Sequence, residues 1–187
     1  MPADEAQGRL AALVSAAQSG DRAAVEALLE AIERRVYTLA YRLVGDPTSA
    51  EDVSQEALLK ICRRLNQYRG GKNFWGWVYR IVINQTHDHR RATDRKPIET
   101  LRLEMPAPND FHPAREEQLR RIMEALSVLT EKERTALVLT EVEGFSSVEA
   151  ARVLGCFPIT VRTRAAQARK KVRRVLSRFY PELREAT

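Results

Sequence analysis

The sequence predicts an all-α protein built from two small helical domains joined by a proline-rich linker. Three observations carry that expectation. Apolar residues recur at three- and four-residue spacing along most of the chain, and no convincing period-two alternation is present. Helix-start signatures, a hydroxyl followed three residues later by a carboxylate, and glycines at the ends of apolar runs punctuate those segments. Four prolines, Pro97, Pro106, Pro108 and Pro113, fall in one stretch without sustained period, which reads as a semi-extended linker. The expected organisation is an N-terminal segment with a short helix (1–20), a first domain (21–95), the linker (96–114), a second domain (115–180) and a tail (181–187).

Leu10, Leu13, Val14 and Ala17 predict a helix over 9–18, and Gly20 ends it. Asp21 can cap a long amphipathic helix in which Val25, Leu28, Leu29, Ile32, Val36, Leu39 and Leu43 recur at three and four. Gly45-Asp46-Pro47 is a turn, and Thr48-Ser49-Ala50-Glu51 has capping-box spacing. The helix after it points Val53, Ala57, Leu58, Ile61 and Leu65 inward and leaves Asp52, Gln55, Glu56 and Lys60 outside. Residues 68–73 form a loop, with Asn73 the expected cap of the next helix. There Phe74, Trp77, Val78 and Ile81 make an inward stripe, while Trp75 and Tyr79 are interleaved with Arg80, Asn84, His87, Arg90 and Arg91. Aromatic and basic groups on one helix suit stacking on unpaired bases while holding phosphates, although each aromatic taken singly fits a core position better.

Beyond the linker, Leu119, Ile122, Met123, Leu126 and Leu129 open the second domain. Thr130-Glu131-Lys132-Glu133 is a capping box, and Gly144 stops the helix that it opens. Ser146-Ser147-Val148-Glu149 repeats the box, and Gly155 can take the left-handed turn that ends the short helix. Pro158 then stands where a first helical residue needs no amide partner. Two helices joined by so short a turn form a helix-turn-helix. In the last helix Val161, Ala165, Ala168, Val172, Val175, Leu176 and Phe179 fall on one stripe, with Thr163, Ala166, Gln167, Lys170 and Arg174 opposite. Residues 158–178 hold eight basic residues and no acidic one, a composition that fits a major groove.

The formal net charge of +6 is consistent with an acidic partner, and its distribution says more. The surplus is packed into the last helix, while Glu131, Glu133, Glu141, Glu143 and Glu149 precede it. Cys62 and Cys156 read as reduced, partly buried thiols, and no motif in the sequence marks them as a redox pair. The start of the chain lacks a signal-peptide pattern, and its longest early apolar run (10–14) is far shorter than the roughly 20 residues of a membrane span, so a cytoplasmic protein without membrane insertion is expected.

These residues place the chain near a known family: it resembles the extracytoplasmic-function (ECF) sigma factors, promoter-recognition subunits of bacterial RNA polymerase. Three stretches carry the likeness. The segment 45–56 resembles the polymerase-binding helix. The segment 74–84, with Asp88, Arg90 and Arg91, resembles the promoter-melting helix. The segments 129–134, 148–151, 160–164 and 168–171 resemble the last domain. The resemblance implies that Asp52, Gln55, Glu56 and Lys60 bind core RNA polymerase. It implies that Tyr68, Lys72, Asn73, Trp75, Tyr79, Arg80, Asn84, Arg90 and Arg91 meet the minus-ten element, the loop 68–73 lying where family members hold a flipped base. It implies that Thr160, Arg162, Thr163, Arg164, Ala166, Gln167, Lys170, Lys171 and Arg174 meet the minus-thirty-five element. Promoter DNA and an inhibitory anti-sigma factor are the other implied partners, and the linker corresponds to one that threads near the polymerase active centre. The sequence departs from the family at Ala166 and Gln167, commonly larger or basic residues, and in the apolar turn Phe157-Pro158-Ile159.

Other functions fit less well. No phosphate-binding glycine loop, nucleophile motif or HExxH pair is present, so no catalytic residues and no cofactor are expected. His87 and His89 lie two apart on a helix, and His112 stands alone, so no metal is expected. The alternative is a stand-alone helix-turn-helix regulator. It would use the last domain but would leave the aromatic-basic helix of the first domain without a purpose.

Overall fold

Every segment of defined secondary structure is helical in the computed structural model, which describes residues 2–70, 73–93 and 113–181. Internal contacts divide the chain into two compact units, one of residues 1–41 and 48–97 and one of residues 42–47 and 98–187.

In the first unit α1 spans Pro2–Gln18, starting well before the expected residue 9. Glycine at position 8 weakens a helix without forbidding it, and the apolar pattern begins only where Leu10, Val14 and Ala17 need burial. The Asp21 carboxylate accepts from the Ala24 amide at 3.1 Å, the expected cap of α2 (Arg22–Val44). Leu28, Ile32, Val36 and Leu39 on α2 are fully or nearly fully buried.

Helix α3 (Pro47–Arg64) starts earlier than its capping-box signature. Pro47 occupies the first helical position, where its missing N–H is harmless, so Thr48 lies inside the helix and does not cap it. Ala50, Val53, Ala57 and Ile61 are buried as expected, whereas Leu58 is half-buried. A 3₁₀ turn (Leu65–Gln67) follows, and the Gln18 amide of α1 donates to the Leu65 and Tyr68 carbonyls at 2.8 and 2.6 Å. The Leu65 carbonyl also accepts from the Tyr68 amide at 3.1 Å, so Gln18 ties the end of this turn to α1.

Asn73 caps α4 (Phe74–Thr93), its side-chain oxygen accepting from the Gly76 amide at 2.8 Å. The helix is buried around more of its circumference than one stripe. Val78, Tyr79, Ile81, Val82, Ile83, Gln85 and Thr86 are all inside. Dense apolar content on several sides had two readings, and burial is the one that the fold adopts for its middle.

The linker prolines 97, 106 and 108 lie outside the described residues. Pro113, assigned to the linker, is instead the first residue of α5 (Pro113–Ser127), again at the position that tolerates proline. Thr130 and Glu133 form the expected reciprocal capping box at the start of α6 (Glu131–Leu137). The helix then widens into a π-helical turn (Val138–Val142), a feature that no spacing in the sequence announced, before Gly144 turns the chain at φ +73°. Ser146 and Glu149 box α7 (Ser147–Leu154), and Gly155 closes it in the left-handed region. Helix α8 (Pro158–Leu176) packs on α5, α6 and α7. The core between them holds Leu129, Ala136, Leu139, Ala150, Val153, Val161, Ala165, Ala168 and Val175. The Arg134 guanidinium, buried among them, donates twice to the Leu126 carbonyl at the end of α5.

Candidate nucleic-acid interface

The strongest candidate surface is the outer side of α8. Its back buries Val161, Ala165 and Ala168, so the register of the front is fixed: Arg162, Thr163, Ala166, Gln167, Lys170 and Arg174 are all exposed. Thr160 and Arg164 are half-buried at its edge. Helix α7 holds α8 through short apolar residues, and Gly155 makes the tight turn between them possible, because its φ of +64° is costly for any residue with a Cβ.

Two basic residues of α8 are paired with carboxylates of its own unit. The Lys171 ammonium donates to the Glu133 carboxylate at 2.8 Å, and Arg169 pairs with Glu141 at 2.6 Å. Glu133 is buried and also completes the Thr130 box. Lys171 above all, then the Thr130 hydrogen bonds, hold its carboxyl below the usual carboxylate range. The Lys171 ammonium is therefore engaged in a tie between α6 and α8, unlike its neighbour Lys170 on the outer face. The acidic segment that precedes the basic helix thus supplies its anchors.

In the first unit the aromatic groups fall into two sets. Tyr68, Phe74 and Trp77 form a cluster with ring centroids 5.4–5.9 Å apart, half-buried at the loop. Beside it lies a cleft of about 370 Å³ lined by Val14, Gln18, Tyr68, Asn73, Phe74 and Trp75, among others. Trp75 and Tyr79 form the second set, around Arg35 of α2. The guanidinium stands 4.0 Å from the Trp75 ring centre and 5.3 Å from that of Tyr79, and its Nε donates to the Tyr79 hydroxyl. Tyr79 has 0% of its surface exposed, so its ring offers no face to a base. Arg35 and Gln18 were absent from the sequence reading, since neither lies near the loop or α4 in the chain.

Arg80, Asn84 and Arg91 are exposed on α4, and Arg90 is half-buried. Asn84 and Arg91 line a polar cleft of about 310 Å³ with Lys60, Arg64, Gln85 and Asp88. Lys60 donates to the Gln85 side chain and lies 3.6 Å from Asp88, so its ammonium is directed to α4. Asp52, Gln55 and Glu56 remain exposed on α3. Lys72 lies outside the described residues. Cys62 is exposed and Cys156 half-buried, both as free thiols.

Comparison with known proteins bears on the family and the fold. A model of Sigma-70 region 2 matches residues 28–96, and one of Sigma-70, region 4 matches residues 119–172. The chain is 35% identical to the RNA polymerase sigma-H factor of Pseudomonas aeruginosa, over 93% of this chain and 95% of that one. It is 33% identical to the ECF RNA polymerase sigma-E factor of Escherichia coli K12, over 86% of this chain and 90% of that one. Among solved structures, CnrH in complex with the cytosolic domain of CnrY aligns with a TM-score of 0.65 at 28% identity, covering 88% of this chain and 95% of that one. The sigma factor RpoE of Bartonella quintana, solved with the anti-sigma factor NepR, aligns with a TM-score of 0.68 at 24% identity, covering 81% and 96%. The chain belongs to the ECF family of RNA polymerase sigma factors.

Proposed function

We propose that this alternative sigma factor does no chemistry of its own and works by differential binding, with three surfaces in three roles. The front of α8 reads the minus-thirty-five element. Its cations position the helix on phosphates, and Arg162, Thr163, Ala166 and Gln167 face the bases. The Tyr68-Phe74-Trp77 cluster and its cleft receive an unpaired minus-ten base, with Asn73 and Trp75 at the rim and Arg80, Asn84, Arg90 and Arg91 along the strand. Extrusion costs a few kcal/mol, which stacking in such a cleft offsets. Tyr79 holds Arg35 and Trp75 in place and does not touch the base. The exposed carboxylates of α3 dock on core RNA polymerase, with Lys60 bracing α3 against α4.

The observation that carries this reading is the acid-free, cationic front of α8 on a capped helix-turn-helix, in the same chain as a cleft of about 370 Å³ beside an aromatic cluster. The protein acts where the polymerase is, in the cytoplasm, and among the described residues no helix is long and apolar enough to cross a membrane. CnrH is solved with the cytosolic domain of CnrY and the sigma factor RpoE with the anti-sigma factor NepR, and these complexes support an anti-sigma partner for this chain.

The test is reconstitution. Core RNA polymerase with this protein should initiate from a small set of fragments in a genomic library, while the protein alone should bind duplex weakly. Tight, specific duplex binding without polymerase would instead make it a stand-alone regulator.

A further inference from the structure

The front of α8 carries an apolar stripe at its centre. Counted at about 100° per residue from Ile159, Thr163 lies near 40° and Ala166 near 340°, so the three succeed one another at i, i+4 and i+7. All three are exposed, Ile159 at 59% of its surface. Phe157, just before the first helical residue, adds a ring that is 78% exposed. The Thr163 hydroxyl donates to the Ile159 carbonyl at 3.0 Å. Its proton is thereby held within the helix, so outward the residue offers its γ-methyl and a hydroxyl oxygen that can only accept. Single exposed apolar residues are ordinary on protein surfaces. The position of these is not ordinary, because Arg162 stands on one side of them, Gln167 and Arg174 stand on the other, Lys170 continues their own line one turn on, and α8 has no acidic residue. An apolar protein partner would have to desolvate that border of charge. A duplex instead supplies phosphates at the border and, on its major-groove floor, one apolar group, the 5-methyl of thymine.

We infer that Ile159, continued by Thr163 and Ala166, reads thymine 5-methyl groups in the upstream promoter element, so that methyl-bearing T·A pairs set the preference more than guanine does. The inference rests on α8 being the helix that reads that element.

Holoenzyme is assembled from core polymerase and the full chain, and a promoter fragment recovered in the library transcription is synthesised with thymine or with deoxyuridine in its upstream segment. Uracil lacks only the methyl. Each methyl in contact should be worth about fourfold in affinity, the equivalent of one buried methyl group. Ile159→Ala, on an exposed site, should weaken binding to the thymine duplex and remove most of the discrimination between the two. Lys170→Ala should weaken binding to both duplexes alike. Equal binding of the unaltered holoenzyme to thymine and uracil duplexes, with Lys170→Ala still weakening both, overturns the methyl reading and leaves α8 as the reading helix. No effect from either substitution overturns the reading of α8 itself. Weaker binding of Ile159→Ala to core polymerase in the absence of DNA would turn the stripe toward a protein and also overturn the inference.

Discussion

Lys170 and Lys171 are neighbours in the chain and have different surroundings. Lys170 is exposed on the front of α8, and Lys171 donates to buried Glu133. Lys170→Ala should therefore make the salt dependence of holoenzyme binding to promoter shallower by about one counterion and leave the fold intact, as salt titration and thermal melting would show. Lys171→Ala should lower the melting temperature instead, because it leaves the Glu133 carboxylate buried without its cation. The same pair sets a pH dependence. The folded Glu133 carboxyl lies below its usual range, so the native state binds fewer protons than the unfolded chain. Its stabilisation is complete above the ordinary glutamate range and is lost as pH falls toward the depressed folded value. Urea midpoints at pH 7 and near pH 4 should fall more for the unaltered protein than for Glu133→Gln.

The helices differ in how much of each is local. Helix α7 is eight residues long, too short to be stable in isolation, and it persists because both ends are fixed and one face is buried. Ser146→Ala should cost about 1 kcal/mol in chemical denaturation by leaving the Glu149 amide without its acceptor and removing the hydroxyl's bond to the Glu149 carboxylate. Gly155→Ala should cost about 1–2 kcal/mol for backbone reasons alone, since nothing lies within 4 Å of an added Cβ. The caps at Asp21, Asn73, Thr130 and Ser146 were legible because a cap is a relation between residues three apart. The Thr48 box failed because Pro47 competes for the same helix start. The π-helical turn at Val138–Val142 was not legible. It adds one residue per turn where Glu141 reaches Arg169, a contact across 28 residues of chain.

At the scale of the molecule, the charge that composition gives as one sum is divided among distinct tasks. Carboxylates of the second unit anchor the basic helix, and those of α3 face outward. Glu56→Lys should reduce affinity for core polymerase several-fold while circular dichroism and melting stay unchanged, because Glu56 is exposed and its neighbours Val53 and Ala57 carry the packing. Unchanged polymerase affinity would remove α3 from that interface.

Periodicity, caps and the proline stretch were enough to specify an all-helical chain, the helix-turn-helix and the front of α8, because each depends on residues within a turn or two of one another. Spacing alone did not decide which polar and aromatic groups on those helices are free to meet a partner. The family resemblance put Tyr79 and Lys171 among the DNA contacts, yet Arg35, 44 residues away, and Glu133, 38 residues away, engage them. Nor did the sequence show that Thr163 gives its hydroxyl proton to the backbone between exposed Ile159 and Ala166 on a cationic face. A side chain's availability depends on what packs against it, and packing brings together residues that the chain keeps far apart.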